Sequence, residues 1–325
     1  MKKALSIVLA LVMMFALAAC TQKQPATTDD YPTKQITIIC PWSAGGGTDT
    51  NARMYAEAIS ANNILPQSII VENHTGGSGV VGATDVVTAD PDGYTLLMTE
   101  QGCVTVQTLL GNTTYAYTDL EPIVAITNDP IAMVVAKDAD IKNTADFIAK
   151  AKAKDGGFLM GFAGAGTFGY LGSMRFVSET GIPLTEVQFD GTAEAIAAVM
   201  GHHVDTYIAA FSDVMPYVKS GEVKMIWTSL RTAYTPDGVE VLSELGIDVP
   251  TTGFCTLYAP KGTPQSVKDT LYNAFKEAQK DQNIIDYAKN AGRDVVAIGG
   301  QEVIDLVKTS YEQNEKVLKE LGRIK

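Results

Sequence analysis

Basic residues are in short supply in this chain: 25 Lys and Arg face 37 Asp and Glu over 325 residues, a formal charge of −12. No run of Lys or Arg offsets that acidity, so phosphate backbones and anionic headgroups are repelled and nucleic-acid binding is excluded. Histidine is scarcer, at three residues. His202 and His203 are adjacent and point to opposite faces of a strand, which argues against a metal site. None of the three stands in a recognisable relation to a Ser or Cys, so hydrolysis has no visible general base. Cysteine is limited to four residues, without CxxC or Cys/His zinc spacing. A P-loop lysine and a GxSxG elbow are also lacking. A carboxylate pair for glycosidase chemistry stays open, because the many acids offer many pairs. Beyond the N-terminal segment no stretch approaches 18 apolar residues, so no membrane span is expected there.

What the chain does have begins at its N-terminus. Lys2 and Lys3 precede an apolar run over residues 4–19 that ends at Cys20. A positive n-region, a short apolar stretch and small residues before the cut describe a secretory signal, and about 16 apolar residues is short for a span of ~20. Leu17-Ala18-Ala19-Cys20 resembles the lipobox of bacterial lipoproteins, in which the cysteine is lipidated and becomes the new N-terminus. The expected layout is a signal peptide over 1–19 and a lipid-anchored, polar tether over 20–30. Without Lys2 and Lys3, 23 basic residues remain against 37 acidic ones, a charge of −14. Cys40, Cys103 and Cys255 are left in the body. Cys40 and Cys103 each read as ending a predicted strand in the same half, which leaves a disulfide between them open.

Strands and helices alternate almost throughout. Residues 35–40 (QITIIC), 68–71 and 94–98 read as strands. Thr48 reads as an N-cap, followed by Ala52, Tyr55, Ala56 and Ile59 at helical spacing. Residues 122–127 and 131–136 read as two strands broken by Asp129-Pro130. Further strands are predicted over 158–162, 186–189, 205–209, 223–228 and 254–258. Helices are predicted over 144–154, 168–179, 193–200 (capped by Thr192) and 214–219. After Tyr258 the pattern is helical to the end: Thr263 caps, Pro264 takes the first helical position, and Val267, Leu271, Ala274, Phe275 and Ala278 form one apolar face. Gly292 and Gly322 suit C-terminal caps. Repeated strand–helix–strand units predict open, mostly parallel α/β sheets. At this length two are expected, with crossings near residues 122–136 and 253–260. No repeat of 20–50 residues stands out.

Glycine-rich turns follow several strands: residues 41–49 (PWSAGGGTD), 75–79 (TGGSG) and 163–169 (AGAGTFG). Such turns present backbone N–H groups at a helix N-terminus, where the dipole favours an anion, and Ser43, Thr48 and Thr167 add hydroxyls. A second reading exists. Gly164, Gly166 and Gly169 form a literal GxGxxG between strand and helix, and Asp190 ends the next strand 21 residues later, as in a dinucleotide fingerprint. That reading would make the chain an exported α/β enzyme or dinucleotide-binding protein. Against it, Gly77, Gly79 and Gly82 match the same expression, so a chain with 29 glycines yields chance matches, and an exported protein has little access to NAD.

Five motifs in order carry a family resemblance. YPTKQITIICPWSAGGGTD over 31–49 resembles the opening of the substrate-binding proteins of tripartite tricarboxylate transporters, the Bug family. Val71-Glu72-Asn73 with Gly76, Gly77 and Gly82 is similar to the family's VEN…GAGG…G segment. Residues 89–97 (ADPDGYTLL), Gly164 to Thr167 and Lys261-Gly262-Thr263-Pro264 resemble its PDGYTLL, G-x-G-T and P-x-G-T-P motifs. The resemblance spans 31–325. It implies a type II periplasmic-binding-protein fold, α/β in class, with two lobes joined by two crossover segments around a ligand cleft. Lobe 1 would take 31–127 and 255–325, and lobe 2 would take 128–254.

The implied activity is non-enzymatic capture of a small organic carboxylate outside the cytoplasm, for delivery to the permease subunits of the transporter. No cofactor or metal is implied, and contact with the membrane is through the Cys20 lipid alone. Position by position, the resemblance puts Trp42, Ser43, Ala44, Gly45, Gly46, Thr48 and Asp49 on one side of the ligand. Ala163, Gly164, Gly166, Thr167 and Phe168 stand on the other, with Gln101, Asp190 and Gly191 completing the set. Trp42 stands where the family usually has Phe and reads either as a wall for the ligand's carbon skeleton or as a core aromatic. Two departures matter: the family's Y-R-G reads Phe189-Asp190-Gly191, and its usual Asp on the following strand aligns with Ala209. An expected cation is thus an anion, which predicts a ligand with one carboxylate and a neutral, hydroxyl or amino group near Asp190. Asp190 reads equally as a turn residue or helix cap.

Overall fold

The computed structural model describes residues 30–162, 167–189, 191–247, 249, 252–320 and 322–325. The signal segment, Cys20, nearly all of the tether, the 163–166 turn and Asp190 lie outside the described residues. From residue 32 onward the chain is one compact unit of contacts.

β-branched Ile36–Cys40 forms β1, and Gly47–Ala61 (α1) carries the chain across to Ile69–Asn73 (β2), which pairs with β1 in parallel. A parallel pair needs such a crossover. Val80–Val87 (α2) leads to Thr95–Glu100 (β3) on the other side of β1, and Gln101–Leu109 (α3) follows without a loop. The sequence does not announce α3, because residues 101–107 are all buried and no polar face marks a helical period.

Leu120–Ala136 is a single 17-residue strand, β4, in place of the two predicted. It leads into Thr144–Ala153 (α4), Phe158–Phe162 (β5), Phe168–Thr180 (α5), Leu184–Gln188 (β6) and Thr192–Met200 (α6). Thr206–Ala210 (β7), Phe211–Ser220 (α7), Val223–Thr228 (β8) and Glu240–Val241 (β9) complete the second half. The chain returns through Thr252–Gly253 (β10) and Cys255–Pro260 (β11). It ends with Gln265–Ala278 (α8), Gln282–Ala291 (α9), Asp294–Gly299 (β12) and Gly300–Glu320 (α10). β12 corrects the expectation of an unbroken helical tail. Its half-buried residues sit between two strongly amphipathic helices, and it pairs with β4 only through tertiary contact.

Two sheets share β4. In lobe 1 the parallel set β2-β1-β3 is closed by antiparallel β11, which pairs with residues 120–125 of β4. In lobe 2 the parallel set β6-β5-β7 is closed by antiparallel residues 131–136 of β4 itself, with β8 on the far side. At Asp129 and Pro130 the strand exchanges one set of partners for the other and is met by β10. Proline lacks an amide to donate, and here that amide falls where the ladder changes hands. A proline at such a point ends no strand, which is why the predicted break is not one.

Apolar residues fill both faces of each sheet. In lobe 1, Ile39 and Leu97 pack with Ala83 of α2 and Val104 of α3, while on α1 Tyr55 stacks on Phe275 of α8 with ring centroids 5.3 Å apart. In lobe 2, Phe147, Phe158, Phe176 and Trp227 form an aromatic chain. Each such side chain, fully buried, contributes about 1.5–3 kcal/mol. Cys40, Cys103 and Cys255 are buried free thiols, so the Cys40–Cys103 bridge left open by the sequence is not formed. Loss of hydration raises Cys40 to about 11 and Cys103 to about 12, leaving both as inert apolar side chains.

Candidate functional site

In both lobes the parallel strands end toward the gap between them. β1, β3, β5, β6 and β7 finish at Cys40, Glu100, Phe162, Gln188 and Ala210, and a helix starts at or shortly after each. Crevices at the carboxyl ends of parallel strands, with helix N-termini pointing into them, are where open α/β sheets bind ligands.

The turn from β1 to α1 is the best-built part of this crevice. Residues 43–47 are exposed, Gly45 takes φ +82, and Gly46 precedes the helix without a side-chain cap. Thr48, predicted as the cap, lies in the first turn and is buried. The amides at the start of α1 are therefore not taken by a side chain. The turn is held from behind by Asp49. Its carboxylate accepts the Gly45 N–H at 2.8 Å, both oxygens accept Arg53 Nε at 3.1 Å, and Asn73 Nδ2 donates to it at 2.8 Å. Asn73, at the end of β2, also donates to the Trp42 carbonyl at 2.9 Å and accepts from Arg53 Nη2 at 2.8 Å. Burial alone would raise the Asp49 pKa, but the bonds from Arg53, Gly45 and Asn73 outweigh it and hold the carboxyl below its usual range. Trp42 is half-buried; its indole N–H donates to Thr99 Oγ1 at 3.1 Å and its ring packs on the lobe 1 core.

Across the gap, Thr167 caps α5 by accepting the Tyr170 N–H at 3.3 Å. Gly191 precedes α6 without a side-chain cap, and Thr192 exchanges a 3.0 Å hydrogen bond with Tyr207. Gln101 is buried at the start of α3, and its Nε2 has no acceptor among the described residues. Gly169, the last glycine of the GxGxxG, faces β7 so closely that a Cβ there would lie 2.6 Å from the Ile208 carbonyl oxygen. Packing of α5 on β7 alone demands a glycine there.

Sequence reasoning did not single out the charges at the base of the crevice. Glu100, Asp129, Asp213 and Arg293 line one small cavity of about 20 Å³, together with Gly47, Asn51 and Ser212. A Cβ on Gly47 of lobe 1 would lie 3.7 Å from Asp213 Oδ1 of lobe 2, so the lobes nearly touch here. Asp129, on the crossing strand, accepts the Ser212 amide at 3.1 Å and the Ser212 hydroxyl, and so caps α7 from another element. Glu100 is pushed up to about 8 by loss of hydration, then by Asp213 and Asp129, with Arg293 opposing. Asp213 rises to about 6 for the same first cause, then Asp129, and Asp129 is raised by burial. The four residues lie far apart in sequence, so only the fold reveals them as one group.

Residues 52–323 match the family described as Tripartite tricarboxylate transporter family receptor. The chain belongs to this family. A UPF0065 protein from Agrobacterium vitis is 32% identical over 302 residues, covering 91% of this chain and 86% of the relative. The periplasmic binding protein BugD shares the fold at a TM-score of 0.79 with 27% identity, covering 90% of this chain and 99% of BugD. MatC from Rhodopseudomonas palustris, solved with bound malate, superposes at 0.77 with 25% identity, covering 89% of this chain and all of MatC. The fold is that of the periplasmic binding proteins, with two α/β lobes joined by crossing segments and a cleft between them. Receptors of this family act outside the cytoplasm. Among the described residues no group of His, Cys, Asp and Glu is arranged to hold a metal ion.

Proposed function

We propose that this receptor is a lipoprotein, anchored through Cys20, that captures a small organic carboxylate between its lobes and passes it to the permease subunits of a tripartite tricarboxylate-type transporter. The observation that carries this reading is the exposed turn at residues 43–47, leading into a helix whose first amides have no side-chain cap. An anion there gains oriented N–H donors and the helix dipole together, at about 1.5–3 kcal/mol per charge-assisted bond. The 163–167 turn and Gly191 would meet the ligand from lobe 2. Lobe 1 comprises 31–127 and 255–325, and lobe 2 comprises 128–254. Binding favours the closed arrangement because both lobes contact the same ligand, and no bond in the ligand is made or broken.

A thermal-shift and calorimetry screen of organic acids and amino acids tests this reading. Ligand at 100 times its Kd is expected to add about 2.7 kcal/mol of stability. Gly47→Val should abolish that shift, since its side chain would enter the 3.7 Å gap to Asp213, while the circular dichroism of the free protein stays unchanged. Undiminished binding by this variant would place the ligand elsewhere.

A further inference from the structure

The base of the cleft brings three carboxylates against one guanidinium. Glu100 comes from the end of β3 in lobe 1, Asp213 from the first turn of α7 in lobe 2, and Asp129 from the strand that joins the lobes. Asp129 is occupied by Ser212, but Glu100 and Asp213 have neither a hydrogen bond nor an ion pair among the described residues. Arg293 lines the same cavity, is 6% exposed, donates to Asn51 Oδ1 at 2.5 Å and stacks on Tyr287. Its Nε has no acceptor, and its guanidinium is not ion-paired with any of the three acids. Acids without donors and a buried arginine short of an acceptor therefore face one space and do not satisfy each other. Because the acids outnumber the one guanidinium, such a space is matched by a ligand group that brings a cationic donor.

Size and charge narrow the class. A cavity of about 20 Å³ admits one group of water or ammonium size. Its walls stay negative even when one of the three acids holds a proton, so a ligand carboxylate is repelled while an ammonium brings the walls to neutrality. Gly47, the first residue of α1, where the proposed carboxylate site begins, also lines this cavity.

We propose that the ligand is an aminocarboxylate whose primary ammonium group seats among Glu100, Asp129 and Asp213 while its carboxylate lies on the α1 amides. This inference rests on the carboxylate-receptor reading and adds the chemistry at the second end. It separates this chain from a receptor that holds a dicarboxylate, as MatC does with malate.

Calorimetry on matched skeletons tests it: alanine, lactate and propionate, then aspartate, malate and succinate. The amino member of a series should bind at least tenfold more tightly than its hydroxyl and unsubstituted partners. Glu100→Gln and Asp213→Asn should each weaken the amino member about 10- to 100-fold. The same variants should leave hydroxyl and unsubstituted acids unchanged or bound more tightly, a reversal that general damage to the fold would not produce. The two acids belong to different lobes, so a folding defect in one variant leaves the other to be read. Equal or tighter binding of malate or succinate relative to aspartate would overturn the ammonium site and leave the carboxylate receptor standing. Binding of no carboxylate in the panel would overturn both.

Discussion

Asp49 has 3% of its side chain exposed and remains an anion only because Gly45, Arg53 and Asn73 supply donors in place of water. Asp49→Ala would leave the Gly45 amide and Arg53 without their acceptor. We expect a loss of about 2–3 kcal/mol in urea denaturation, with loss of ligand binding as the turn relaxes. Because its folded pKa is depressed, its contribution is present above the unfolded value near 3.8 and disappears as the pH falls through the lower folded one. Glu100 acts with the opposite sign. Its pKa rises from 4.5 to about 8, so its contribution is whole below pH 4.5 and is lost as the pH rises through 8. Urea midpoints of the free protein should therefore fall between pH 5 and pH 8.5, and Glu100→Gln should flatten that slope. An unchanged slope in the variant would remove Glu100 as its source. At this scale the glycine turn, Asp49 and Asn73 were legible as motifs. Asp49 and Asn73 shape the turn through local bonds, a role that sequence spacing leaves open.

α5 packs on β7 through Gly169, where a methyl group would meet the Ile208 carbonyl at 2.6 Å and Ala209 Cα at 2.7 Å. Gly169→Ala should cost about 1–3 kcal/mol, measured by chemical denaturation, and should loosen the first turn of α5 beside the cleft. A neutral outcome would mean that the helix lifts off the strand without cost. Elements with a clear polar–apolar period, α1 and α8, were readable in advance. α3 was not, since it is buried nearly all round, nor was β12, since its partner β4 is distant in sequence. α10 adds a contact that pattern alone assigns to lobe 1. Its Val317 joins the lobe 2 core, Glu320 accepts from Ser178 at 3.0 Å, and Arg323 bonds Glu186 at 2.5 Å. The last helix thus reaches both lobes.

For the whole molecule, a net charge of −12 is spread over a surface where salt screens it over ~8 Å. Anion capture by uncapped amides is compatible with an acidic protein for that reason. Anchoring through Cys20 predicts that Cys20→Ser releases the receptor from the membrane fraction, and that mass spectrometry of the wild-type N-terminus finds a lipidated cysteine. A wild-type protein recovered entirely in the soluble fraction would refute the anchor.

The sequence by itself determined the α/β class, the family, the two crossings and the glycine turn at the cleft, because these rest on local periodicity and contiguous motifs. Tertiary structure alone decided that β4 runs unbroken through Pro130, that Cys40 and Cys103 stay reduced, and that Asp49 is held by its neighbours. It also decided where the negative charge enters the cleft. The sequence raised that question for Asp190, which lies outside the described residues; among the described ones Glu100, Asp129 and Asp213 converge from three elements remote in the chain. Convergence of that kind depends on how strands end and helices start in space, and no spacing along the chain records it.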